Sequence, residues 1–149
     1  MLLAERGLKP EFVPLADYPS AARQDAVLLI GDRALDFLRQ PHDHAIWDLG
    51  AAWKDLTGLP FVYAVWALRR DADTTVIRRA LREAKQFGME TLDYLIANRT
   101  EYDLDLRRDY LGWHIHYHLG TDEKRGLARF VELLRQHGLG PVYDPRYVT

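Results

Sequence analysis

Two stretches of the chain are apolar almost without interruption, Ala26 to Ile30 and Phe61 to Leu68, and turn-forming or charged residues close both. Short apolar runs of this kind predict strands buried on both faces, as in a parallel sheet. Phe12 to Leu15, held between Pro10 and Pro14, reads as a further short strand. Elsewhere the apolar positions fall at helical spacing. Residues 1 to 6 predict the last turns of a helix, closed by Gly7 as the residue after its C-cap. Asp32 is placed to cap a helix over Ala34 to Leu38, and Leu49 to Leu56 predicts a helix ended by Gly58, with Pro60 barring its continuation.

The second half is expected to be mostly helical. Ile77, Ala80, Leu81, Ala84, Phe87, Leu92, Leu95 and Ile96 lie on one face of one long helix or two between Thr74 and Ala97, with Gly88 marking a break. Leu104 to Leu111 predicts another helix. Thr121 opens a last one, with Asp122 and Glu123 in its first turn, running to about Gln136 before Gly138. Gly140 to Thr149, with Pro141, Pro145 and two tyrosines, is expected to be an extended tail packed on the body. Strands alternating with helices place the chain in the α/β class.

Composition narrows the function classes. At 149 residues and 48% hydrophobic content, the chain has enough apolar mass for the core of one globular unit or a large piece of one. Twenty Lys and Arg against 22 Asp and Glu give a net charge of −2, with no basic stripe to track a phosphate backbone, so no nucleic-acid partner is expected. The absence of cysteine excludes disulfides, thiolate metal sites and cysteine nucleophiles. No apolar run approaches the ~20 residues of a membrane span, and the first residues lack the apolar core of a signal peptide. A soluble, cytoplasmic protein with no membrane partner is expected.

The best candidate site on physical grounds is the strand Ala26 to Ile30 running into Gly31 and Asp32. Ligands in open α/β sheets gather at the carboxyl ends of strands, and glycine lets backbone approach a ligand closely. An isolated Gly-Asp pair also has a plain structural reading, a turn and a helix cap.

Three words occur in order here: Ala-Val-Leu-Leu-Ile-Gly-Asp at 26–32, Trp-Asp-Leu-Gly at 47–50, and Thr-Gly-Leu-Pro-Phe-Val-Tyr-Ala-Val-Trp at 57–66. Together they resemble the chorismate dehydratases of the futalosine route to menaquinone, a family with the two-lobed periplasmic-binding-protein type fold. The resemblance implies that Ile30, Gly31 and Asp32 line the ligand cleft, with Asp32 as the candidate catalytic residue. A sister naphthoate synthase carries an Ile-His-Glu type word where this chain has Gly31, which favours the dehydratase reading. The implied reaction is loss of water from chorismate to give 3-[(1-carboxyvinyl)oxy]benzoate, a hydro-lyase step that needs neither a metal nor an organic cofactor.

The resemblance is confined to the later half of that family. Residues 1–60 would be a partial second lobe and residues 61–149 the return strand and helical C-terminal part of the first. The family's substrate-gripping asparagine and serine-rich loop belong to an N-terminal half with no counterpart in this sequence. Met1, just ahead of what resembles an internal helix-to-strand junction at Gly7 to Leu15, is the start expected of a truncated gene or a split frame. The chain alone is then expected to be inactive, and to associate with itself or require the N-terminal half. The alternative, from another functional class, is a non-catalytic carboxylate-binding domain of the same fold.

Other residues carry weaker signals. His114, His116 and His118 would share one face of a strand, or His114 and His118 one face of a helix, with His42 and His44 as added nitrogen donors for zinc or copper. No acidic residue stands at ligand spacing within that run, and the family stretch it resembles carries no metal, so alternating surface histidines are expected and no metal is assigned. Trp47, Trp53, Trp66 and Trp113 read as packing residues rather than a ligand cage. Arg69 and Arg70 follow the second strand and have the charge to attract a carboxylate, although a solvated helix approach is the commoner fate of such a pair. Arg107 to Asp109 and Asp122 to Arg125 read as solvated helix faces.

Overall fold

A computed structural model describes residues 1 to 148. Seven α-helices follow one another in it: α1 (Leu2–Glu5), α2 (Asp32–Leu38), α3 (Leu49–Thr57), α4 (Thr75–Glu90), α5 (Leu92–Asn98), α6 (Leu104–Asp109) and α7 (Thr121–Gln136). A 3₁₀ turn spans Tyr18–Arg23, and a π-helical turn spans Tyr110–His114. Thr149, the last residue of the expected tail, lies outside the described residues.

Local chemistry explains most helix ends. Gly7 and Gly138 adopt positive φ after α1 and α7. At each end the glycine N–H bonds a carbonyl three residues back, and the following leucine N–H bonds one five residues back. These bonds occupy the last carbonyls of both helices. The Asp48 carboxylate accepts from Ala51 N–H at 2.8 Å and caps α3. Gly58, left-handed at φ 68°, ends the same helix ahead of Pro60. In α7 the Glu123 side chain reaches back to Gly120 N–H at 2.9 Å, one half of a capping box.

The expected break at Gly88 falls instead at Thr91. Gly88 sits inside α4, whereas the Thr91 hydroxyl bonds the Phe87 carbonyl at 2.8 Å, a competition with the helical ladder that ends or bends helices. The helix expected over Leu104 to Leu111 changes pitch after Asp109: Ile115 N–H reaches the Tyr110 carbonyl at 3.0 Å, five residues back.

The strand half of the α/β expectation is not met. Among the described residues none lies in a strand, and Phe12–Leu15, Ala26–Ile30 and Phe61–Leu68 run as irregular chain. A helix satisfies its N–H and C=O groups within its own segment, but a strand exists only against a neighbour. These three segments have no neighbour in strand register.

The chain divides into two compact units, Met1–Phe61 with the segment from Arg125 onward, and Val62–Lys124. In the first unit Trp53 of α3 is fully buried, and Val131 and Leu133 of α7 are buried as well. Trp53, Phe61 and Phe130 meet edge to face, with ring centroids 5.5, 5.9 and 5.3 Å apart pair by pair. Gly126 on α7 makes the approach possible, since a Cβ there would lie 2.2 Å from the Pro60 carbonyl oxygen. His137, the residue after α7, bonds Glu5 of α1. In the second unit Ile96 of α5 is the buried residue, and a Cβ at Gly112 would meet its side chain at 3.7 Å.

Many large apolar side chains stay exposed, including Phe12, Val13, Leu28, Ile30, Tyr63, Trp66, Val76, Phe87 and Trp113. Four of the nine, Leu28, Ile30, Tyr63 and Trp66, belong to the segments Ala26–Ile30 and Phe61–Leu68.

Trp53→Ala is expected to cost about 3–5 kcal/mol, because it leaves a cavity at the aromatic cluster. Gly126→Ala is expected to cost about 1–3 kcal/mol by overpacking against Pro60. Urea denaturation followed by circular dichroism measures both, and a Gly126→Ala variant as stable as the parent would overturn the close approach.

Candidate functional site

The segment Ala26–Ile30 keeps a period of two although it pairs with nothing. Val27 and Leu29 are half-buried, while Leu28 and Ile30 are 68% and 83% exposed. Gly31 follows at φ 63° and ψ −145°, a region that essentially only glycine occupies. That turn starts α2: the Gly31 carbonyl accepts from Ala34 N–H at 2.9 Å and Leu35 N–H at 3.2 Å. Gly31 is therefore the N-cap, and Asp32 is the first helical residue rather than the cap expected of it. Its carboxylate favours the helix start through the local backbone dipoles.

A groove of about 580 Å³ runs beside this segment, lined by Leu28, Leu29, Ile30 and Arg33 on one side and the stretch from Leu15 to Pro19 on the other. The second wall is fixed locally. Asp17 accepts from Ser20 N–H at 2.7 Å, and the Ser20 hydroxyl donates to the Asp17 carbonyl at 2.7 Å, which holds the 3₁₀ turn that begins at Tyr18. Across the groove the Arg33 guanidinium carbon lies 4.3 Å from the centre of the Tyr18 ring. Of the three expected site residues, Ile30 lines the groove, while Gly31 and Asp32 sit between it and Arg33 in the chain without joining the lining. Tyr18 and Arg33 were not expected as site residues. Asp17, Pro19 and Ser20 do carry a legible turn signal, an Asx-capped turn with proline near its start.

A model of the menaquinone biosynthesis family matches residues 1–136. The chain belongs to this family. Among its relatives, the chorismate dehydratase of Thermus thermophilus is 33% identical over 154 residues, covering 90% of this chain and 56% of that enzyme. The chorismate dehydratase of Campylobacter jejuni is 32% identical over 114 residues, covering 74% of this chain and 49% of that enzyme. The chain thus spans about half the length of the curated relatives it matches. No solved structure matches it.

The remaining candidates in this menaquinone-biosynthesis family member are dispersed. His42 stacks on Phe37 at 4.8 Å between ring centres, and His44 Nε2 lies 2.7 Å from the Gln24 carbonyl. His114 Nε2 lies 3.1 Å from the Asp109 carboxylate, and His116 and His118 follow in irregular chain. Among the described residues no three His, Asp or Glu side chains are grouped where they could hold one metal ion. Trp53 is core, Trp47 carries the Arg6 guanidinium at 4.2 Å from its ring centre, and Trp66 and Trp113 are exposed. Arg69 pairs with Asp71 at 2.8 Å and holds that carboxyl below its ordinary range. A smaller hollow of about 370 Å³ lies in the second unit, lined by residues that include Asp93, Arg108 and Trp113. Among the described residues no helix is long and apolar enough to cross a membrane.

Gly31→Ala and Gly88→Ala are expected to shift stability in opposite directions. Open space surrounds both Cβ positions, so backbone conformation decides the sign. Alanine at 31 costs about 1–3 kcal/mol for its forced dihedral angles, and alanine at 88 gains up to about 1 kcal/mol of helix propensity. Thermal unfolding of the two variants checks this.

Proposed function

We propose that this chain is part of a chorismate dehydratase, acting with the portion of the family that its sequence does not span. The observation that supports this most directly is that two relatives named chorismate dehydratase match 90% and 74% of the chain at about one-third identity. The reaction is loss of water from chorismate to give 3-[(1-carboxyvinyl)oxy]benzoate, a hydro-lyase step of the futalosine route. A ring proton and the neighbouring hydroxyl leave together as water, and the ring becomes aromatic. The chemistry asks for donors to two carboxylates and a group that takes the proton. Ile30, Gly31 and Asp32 contribute to the substrate site, with Asp32 as the catalytic participant on this chain.

In the same reading, residues 1–60 belong to the second lobe of a periplasmic-binding-protein-like α/β fold and residues 61–149 to the first. Phe12–Leu15, Ala26–Ile30 and Phe61–Leu68 become strands once neighbours pair with them. Their exposed apolar side chains make self-association the expected behaviour of the isolated chain. The cytoplasm is where such an enzyme is expected to work.

The test is a product assay by liquid chromatography. The purified chain is given chorismate alone, and again with the N-terminal portion of the Thermus thermophilus enzyme that lies outside the match. Aromatic product only in the combined sample is the expected result. No product in either sample overturns the proposal. In a productive mixture Asp32→Asn is expected to lower turnover at least about 100-fold, as loss of a general acid or base does; unchanged turnover removes Asp32 from the mechanism.

A further inference from the structure

Arg33, like Arg6 against Trp47, lies on a ring face rather than beside a carboxylate. Arg69, Arg79, Arg99, Arg129 and Arg135 each pair with a carboxylate at 2.7 or 2.8 Å. Arg33 lies against the face of Tyr18 instead, and among the described residues no carboxylate is within ion-pair distance of it. The carboxylate of Asp17, which shares the groove, is turned to Ser20 N–H at 2.7 Å. A ring face steadies a guanidinium without occupying its paired N–H donors. The groove thus holds a positioned cation whose fork is open to a planar anion.

The rest of the groove sets the ligand class. Leu15, Leu28 and Ile30 give it apolar walls, and a volume of about 580 Å³ falls in the ~300–1,000 Å³ range of small-molecule sites. The hollow of the second unit has a different balance, since Asp93 joins Arg108 in its lining and Asp105 stands 4.0 Å from that arginine. We infer that the groove between Leu15–Pro19 and Leu28–Ile30 binds small ring carboxylates, with Arg33 taking the carboxylate and Tyr18 holding Arg33 in place. This inference rests on the proposed function for the choice of ligand and adds two residues to its site.

The test is ¹⁵N-detected titration of the whole chain with 3-[(1-carboxyvinyl)oxy]benzoate, and with benzoate against neutral benzamide. Saturable shifts at Tyr18, Leu28, Ile30 and Arg33 are expected for the carboxylates. Arg33→Gln is expected to raise Kd about tenfold or more while leaving benzamide shifts unchanged. Arg33→Lys, which keeps the charge without the fork, should fall between. Arg33 is exposed, so a spectrum as dispersed as the parent's is expected for both variants. Equal carboxylate affinity in Arg33→Gln, or no saturable binding by the parent chain, overturns the inference. Arg33-dependent binding without product in the combined assay would leave this inference standing and remove the dehydratase reading. Product with an unchanged KM in Arg33→Gln would do the reverse.

Discussion

The approach of Gly126 on α7 to the Pro60 carbonyl, just after α3, constrains the first unit more than any other single feature. With no side chain there, the Pro60 carbonyl comes close enough that a Cβ would lie 2.2 Å from it. That approach brings Phe130 onto Trp53 and Phe61, and the three rings meet in edge-to-face geometry around the buried Trp53. Gly58 and Pro60 turn the chain out of α3 just where the approach occurs. The arrangement has one cost, since the Trp53 indole N–H is buried without an acceptor, which opposes stability by about 1–3 kcal/mol.

Away from that cluster the chain keeps much apolar surface in contact with water. Ile30, Leu28, Tyr63 and Trp66 belong to segments whose composition is that of buried strands, yet they lie in irregular chain. Surface ion pairs such as Arg79 with Glu83 do little to offset this, because exposed pairs contribute only about 0–1 kcal/mol.

The groove beside Ile30 joins these two themes. One wall is an unpaired apolar segment, and the other is a short turn fixed by Asp17 and Ser20. Gly31 permits the sharp reversal that sets Arg33 toward Tyr18, 15 residues earlier in the chain.

What the sequence determined by itself was mainly local. Gly7, Gly58, Thr121 and Gly138 mark helix ends correctly because capping acts over three to five residues. The three words at 26–32, 47–50 and 57–66 carried the family. Asp32 was misread as the cap because a free carboxylate and a positive-φ glycine compete for the same role one residue apart, and only the backbone angles settle it. Other outcomes depended on residues distant in the chain. Helix α4 ran through Gly88 to Glu90, Trp53 gathered Phe61 and Phe130 around it, and Arg33 found Tyr18. The apolar runs remained without ladders because strand formation is a property of pairs, and composition names a strand without supplying its neighbour.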